Sequence, residues 1–105
     1  MTRDIIQRTA EPELTADLTL YATADGGRRD ALRPGFLLPC MIHQNEPLEA
    51  WDCLPLLRDE PLHPGETKRL GFVFMSGEKA ARALREAGKF YLWDGRFIGE
   101  AVVVD

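Results

Sequence analysis

The stretch KFYLWDGRFIGEAVVV, residues 89–104, decides the fold. Apolar-rich segments flank Asp94-Gly95, the strongest short hairpin signal in the chain. A two-residue Asp-Gly loop matches the right-handed twist of two paired strands. The stretch therefore predicts that the chain ends in two antiparallel strands, Lys89–Trp93 and Arg96–Val104.

The same kind of organisation extends back through the rest of the chain. Apolar and polar side chains alternate with a period of two in 14–22 and 66–74, which we expect to be strands. Two further strands are expected at 36–43, where successive residues fall on two faces, and at 48–56, which returns from the turn after it. Glycine- or proline-containing turns separate them, as at Asp25-Gly26-Gly27. Six short strands with closely spaced turns favour an all-β barrel or sandwich over alternating strands and helices.

The second and third of these strands form a predicted hairpin around the turn 44–47. A turn centred between Glu46 and Pro47 places Cys40 opposite Cys53, on an apolar face. A cross-strand disulfide is one outcome, but we expect two reduced core thiols in a cytoplasmic protein. Pro39 and Pro55 lack the amide hydrogen that a ladder needs, so both are expected at a sheet edge or a bulge.

One short amphipathic helix is predicted near residues 77–87. Ser76 is the expected N-cap and Gly88 the expected C-terminal stop. Residues 1–12 are interpreted as a tail or a single helical turn, which leaves residues 13–105 as one domain.

The composition of the chain argues against two classes of protein, those that bind nucleic acid and those that span a membrane. The chain has 105 residues, of which 45% are hydrophobic, and a formal net charge of −4. This acidity disfavours phosphate-driven binding of nucleic acid. The apolar runs are far shorter than the roughly 20 residues that cross a bilayer, and the N-terminus has no secretory apolar stretch. We therefore expect a cytoplasmic protein that does not associate with membranes.

Four motifs in order resemble the third, C-terminal barrel domain of elongation factor Tu: Asp25-Gly26-Gly27-Arg28, Gly35-Phe36, Pro64-Gly65-Glu66 and residues 94–99 with the valines that follow. The resemblance covers roughly residues 13–105 and implies a six-stranded antiparallel barrel. In that factor the barrel contacts aminoacyl-tRNA, the nucleotide-exchange factor and the factor's own GTPase domain. The present chain has no phosphate-binding loop, so no bound nucleotide or GTPase activity is expected.

The resemblance assigns roles to individual residues. Arg28 matches the arginine of the family's first loop, and Arg29 occupies an adjacent position that lies near tRNA in the family. Leu37 stands where the family has a tRNA-facing arginine, and this difference removes an arginine-phosphate pair. Arg96 is retained at the tip of the last hairpin.

Two surface features could contact a partner. Arg28, Arg29 and Arg33 form a local basic patch, for which a solvated loop is the alternative interpretation. Leu37 and Met41 share the predicted outer face of the hairpin with two further leucines, Leu54 and Leu56. An exposed apolar face of this size is unusual on a soluble monomer, so we expect another element to pack over it. The candidates are the 77–87 helix, the N-terminal tail through Ile5 and Ile6, and another protein.

Reactive constellations are not evident in the sequence. Cys40, His43, Cys53 and His63 are suitable zinc ligands by type, but positions three apart on a strand point to opposite faces. The same argument opposes a catalytic Cys40–His43 pair. We expect no metal, no cofactor and no enzymatic activity.

The sequence thus predicts a noncatalytic β-barrel binding module whose partner is another protein. A translation-associated module that binds tRNA or rRNA is the alternative. The candidate binding residues are Arg28, Arg29, Arg33, Arg96, Leu37 and Met41.

Overall fold

Residues 2–45 and 49–105 are described by a computed structural model of the chain. Within these residues the strands are β1 (Leu14–Leu20), β2 (Leu38–Met41), β3 (Ala50–Pro55), β4 (Thr67–Phe74), β5 (Lys89–Trp93) and β6 (Phe97–Val103). Each strand is antiparallel to its neighbours, and together they close a barrel in the order β1-β4-β3-β2-β5-β6. The predicted six-stranded antiparallel barrel is confirmed.

Alternation along the strands builds the core. Every second residue of β1, from Leu14 to Leu20, is buried inside the barrel. On β4 the buried set includes Phe72, whose ring meets Phe90 of β5 edge to face with centroids 5.2 Å apart. This aromatic pair joins opposite parts of the barrel wall through the apolar interior.

The register of the β2–β3 hairpin differs from the prediction by two residues. Cys40 lies opposite Trp51, and Cys53 lies opposite Leu38. Both cysteines point into the barrel, with Cα atoms 6.2 Å apart, and a disulfide joins them. The expectation of two reduced thiols is therefore wrong, because interior-facing cysteines on adjacent strands fall within bridging distance even when they are not directly opposite.

The predicted centre of that hairpin's turn lies outside the described residues, at 46–48. The two strand prolines occupy the ends of ladders instead of the edge of an open sheet. Pro39 lies opposite Asp52 of β3, and the β2–β5 ladder begins one residue later, at Cys40. Pro55 ends β3 opposite Phe72. Among the described strands, Pro39 is paired only toward β3 and Pro55 only toward β4, so the missing amide hydrogen interrupts no ladder on the other side.

The predicted helix is present as α2 (Glu78–Ala87), with its apolar face buried and Gly88 ending it at φ +79°. Ser76 is not its N-cap: Gly77 occupies that position at φ +61°, and no side chain caps the helix. The chain turns sharply at Gly77, which separates Ser76 from the first helical turn. In the described part of the chain, no helix combines the length and apolar character needed to span a membrane.

The N-terminal segment forms a seven-residue helix, α1 (Arg3–Thr9), where a tail or single turn was predicted. The Arg58 guanidinium donates to the carbonyl oxygens of Gln7 (3.1 Å) and Ala10 (2.9 Å) and so anchors the end of α1. Pro12, just after α1, lies directly over Gly71 of β4. The N-terminal segment is therefore one cover of the outer barrel face.

That cover explains the burial of the hairpin's outer apolar residues. α1 packs against β3, and both Leu54 and Leu56 are only 3% exposed. The residues that achieve this differ from those expected, since Ile5 is 45% exposed whereas Gln7 is fully buried. The helix thus turns an amide, not its first isoleucine, toward the protein.

Candidate functional site

The loop between β1 and β2 carries three of the candidate arginines, and a glycine pair shapes it. Gly26 adopts a left-handed backbone at φ +93° after a short 3-10 turn. The Gly27 amide donates to the Ala22 carbonyl at 3.0 Å, and a Cβ at Gly27 would overlap the carbonyl oxygen of Tyr21. The loop can therefore fold tightly onto the end of β1 only with glycine at position 27.

Arg28 is held in one position by this loop and by the terminal hairpin. Its guanidinium lies 2.6 Å from the Asp94 carboxylate in the β5–β6 turn and donates to the Asp30 carbonyl at 3.2 Å. The same group lies 5.0 Å from the centroid of the Phe36 ring. With 19% of its side chain exposed, Arg28 connects two parts of the surface and offers little of itself to a partner.

The first depression at this end of the barrel is lined by Arg28, Arg29, Asp30, Asp94, Arg96 and Ile98. Arg29 and Arg96 come from different loops and are both exposed. The structure thus brings together Arg28, Arg29 and Arg96, three of the four predicted arginines. Arg28 and Arg96 are 68 positions apart in the sequence.

A second depression adjoins the first. It is lined by Arg3, Arg33, Pro34, Gly35, Phe36 and Leu37. The Phe36 ring is the link, because it contacts Arg28 of the first depression. Arg3 comes from α1 and was not predicted; nothing in the sequence signals that α1 folds back to this loop. We call Arg3, Arg28, Arg29, Arg33 and Arg96, with Phe36 and Leu37, the arginine surface.

Most of the arginine surface lacks internal charge partners. Within residues 2–45 and 49–105, four of its members make no salt bridge and no side-chain hydrogen bond: Arg3, Arg29, Arg33 and Arg96. Elsewhere cations are commonly paired, as in Arg69–Asp17 at 2.8 Å and Lys68–Glu60 at 3.0 Å. Lys79 and Arg82 on α2 are the other cations without such a partner in the described residues.

The two predicted apolar contacts have different positions. Leu37 is partly exposed in the second depression. Met41 is only 7% exposed and lies between Ala50 of β3 and Tyr91 of β5. Met41 is therefore part of the barrel wall and offers almost no surface to a partner.

A second polar cluster lies on the outer wall. The Tyr21 hydroxyl donates to Glu100 at 3.0 Å, and Lys89 lies 2.9 Å from the other oxygen of that carboxylate. The hydrogen bond from Lys89 lowers the pKa of Glu100, and burial followed by the Glu100 contact raises the pKa of Tyr21. These shifts keep the carboxylate charged and the phenol protonated, which stabilises the pairing.

The four sulfur and imidazole groups considered as metal ligands do not converge. Cys40 and Cys53 form the disulfide and so have no free thiol for a metal ion, and His43 and His63 are exposed. Among the residues that the structure describes, no three histidine, cysteine or acidic side chains are grouped to hold a metal ion.

The fold and this site define a small closed β-barrel with a cationic loop surface. The sequence matches no protein-family model, and a search of the curated proteins finds no match. The structure shows the closed six-stranded antiparallel barrel that the resemblance implies, but neither comparison links the chain to elongation factor Tu.

Proposed function

We propose that this protein is a noncatalytic binding module that recognises another protein through the arginine surface. The observation that carries the proposal is the set of four arginines that have no charge partner among residues 2–45 and 49–105, in the two depressions with the partly exposed Leu37. Arginine beside exposed apolar surface is the composition enriched at protein interfaces.

The contacts of Arg28 within the surface support this function. Arg28 connects the β1–β2 loop to the β5–β6 turn through its ion pair with Asp94. It also contacts the second depression through the ring of Phe36. Loops held in this way lose little conformational entropy when a partner binds. Arg28 is accordingly a positioning residue. The contacts with the protein partner are made by the exposed arginines around it.

The motif resemblance to the third domain of elongation factor Tu is consistent with a binding role. In that family the barrel is a contact surface and the chemistry belongs to another domain. A barrel of this kind performs recognition without nucleotide hydrolysis.

Binding of tRNA or rRNA is the second candidate. The guanidinium groups that are unpaired within the described part of the chain favour it, because arginine is a good phosphate ligand. Two features oppose it. The chain has a net charge of −4, and Asp30 and Asp94 line the same depression as Arg29 and Arg96. Both would repel a continuous phosphate backbone.

Site-specific photocrosslinking in native lysate tests the proposal. A benzophenone amino acid is placed at Leu37, and a matched control carries it at Met75, which is 73% exposed in the turn before α2. We expect protein adducts at position 37 that survive ribonuclease and disappear when Arg29 and Arg96 are both changed to glutamate. Adducts that ribonuclease removes, or equal labelling at both positions, would reject the proposal.

A further inference from the structure

We infer that the arginine surface binds a short acidic peptide segment that carries an aliphatic side chain. This inference rests on the proposed function and names the chemistry of its partner. It depends on three properties of the surface: its local charge, its apolar floor and the carboxylates already present in it.

Local charge opposes the charge of the whole molecule. The two depressions are lined by five arginines and two aspartates, whereas the chain as a whole is acidic. Screening at physiological salt limits electrostatic attraction to about 8 Å, so a short ligand responds mainly to the nearby arginines. A carboxylate-bearing peptide is therefore attracted to the arginine surface although the chain as a whole is acidic.

The geometry of guanidinium groups suits carboxylates. Each exposed arginine presents a planar fork that can pair with both oxygens of one carboxylate. Arg29 and Arg96 flank the first depression, and Arg3 and Arg33 flank the second. Two pairs of arginines match acidic residues on both sides of a central residue of the ligand.

The central residue is predicted to be aliphatic. Phe36, Leu37 and Pro34 provide apolar lining in the second depression, and Leu37 is partly exposed there. One face of the Phe36 ring already contacts Arg28. A nucleic-acid base would need a free aromatic face for stacking, whereas an aliphatic side chain needs only apolar contact.

The two aspartates favour spaced carboxylates over a phosphate chain. Asp94 is neutralised by Arg28 at 2.6 Å, but Asp30 has no side-chain partner in the described residues. A flexible peptide can place its acidic groups against arginines and turn a neutral backbone toward Asp30. A phosphodiester chain carries a charge at every repeat and cannot avoid it.

Fluorescence anisotropy with defined probes tests the inference. The first probe is a labelled peptide with two glutamates on each side of one leucine. The second replaces the glutamates by glutamines, the third replaces the leucine by serine, and the fourth is a single-stranded RNA of similar length. We expect the first probe to bind best, with at least a tenfold loss for the glutamine probe, equivalent to about 1.4 kcal/mol.

Two double variants localise the binding. The change Arg29→Gln with Arg96→Gln is expected to weaken the first probe at least tenfold. The control, Lys79→Gln with Arg82→Gln, removes the same charge from two equally unpaired cations on α2 and is expected to change affinity less than twofold. Leu37→Ser is expected to weaken the leucine probe and leave the serine probe unchanged.

The outcomes separate this inference from the proposed function. Equal binding of the glutamate and glutamine probes, equal losses in the two double variants, or tighter binding of RNA overturns the inference. If the peptide fails to bind but crosslinking at position 37 still captures a protein, the acidic-ligand inference is wrong and the binding function stands. If both fail, both are wrong.

Discussion

Charged residues are paired with each other on the outer wall of the barrel, whereas most of those on the arginine surface have no ion pair with the described residues. On the wall, Asp17 of β1 lies directly opposite Arg69 of β4, and the two form an ion pair at 2.8 Å. On the arginine surface, Arg29 and Arg96 lie in one depression without an ion pair in the described residues. Strand register places opposite charges face to face, whereas loops bring charges together without that constraint.

This difference indicates where the molecule has charge available for a partner. A paired wall charge contributes little to binding, since an incoming ligand must first displace its partner. A loop guanidinium that has no ion pair with the described residues does not need to break one before it binds a ligand. The stability of the folded protein is expected to depend strongly on the loop glycines and Arg28, and only weakly on the exposed arginines. The ion pair on the wall is expected to contribute a small, pH-dependent stability.

The largest effect is expected from Gly27→Ala. The added Cβ would overlap the Tyr21 carbonyl, so the free energy of unfolding should fall by about 3 kcal/mol or more, measured by urea denaturation. The matched control is Gly26→Ala, where no atom lies within 4 Å of the new Cβ but φ is +93°. Its cost should be only about 1–2 kcal/mol of backbone strain. Equal losses would show that backbone conformation, and not close packing, shapes the loop.

Arg28→Ala should cost about 1–2 kcal/mol, because it removes the contact with Asp94 and the stacking on Phe36. The matched control, Arg29→Ala, changes the adjacent exposed arginine. Its unfolding free energy should stay within about 0.5 kcal/mol of the parent. If the two variants lose the same stability, Arg28 does not hold the surface together.

A smaller effect is expected from Glu100→Gln on the wall, and it depends on pH. The pKa of Glu100 is lowered by Lys89, so the carboxylate stabilises the folded state above its ordinary value of 4.5 and loses this contribution as the pH falls. The melting temperature of the parent should exceed that of the variant at pH 7. The difference should shrink as the pH falls from about 4.5 toward 3. A constant difference over that range would contradict the assigned ion pair.

The smallest effect is expected from neutralising the exposed arginines. The triple variant Arg29→Gln, Arg33→Gln and Arg96→Gln should unfold within about 0.5 kcal/mol of the parent in urea, since these side chains have no internal partners in the described residues. A loss above about 2 kcal/mol would mean that they stabilise the barrel, and the contrast with the wall would disappear.

Several parts of the fold were predictable because their signals are local. Alternation identified the strands, Asp94-Gly95 identified the last hairpin, and the apolar spacing before Gly88 identified α2. The glycine pair at residues 26–27 marked the loop that carries Arg28 and Arg29. Each signal depends on the backbone preferences of adjacent residues, which act over a few positions.

The errors have a different origin. The β2–β3 register was shifted by two residues, and the Cys40–Cys53 disulfide was judged the less favoured outcome. A shift of two keeps the same residues inside the barrel, so the apolar pattern does not distinguish the two registers. The helical N-terminus and the position of Arg3 were missed because α1 is too short to be stable without its contacts to β3 and Arg58.

By itself the sequence determined an all-β fold of six short strands with one amphipathic helix and a basic loop after the first strand, because these features follow from periodicity and turn chemistry. Only the tertiary structure decided which arginines meet, which are already paired, and that Met41 belongs to the wall while Leu37 reaches the surface. The physical reason is closure: bringing β5 beside β2 and folding α1 back over β3 creates neighbours that no local pattern encodes.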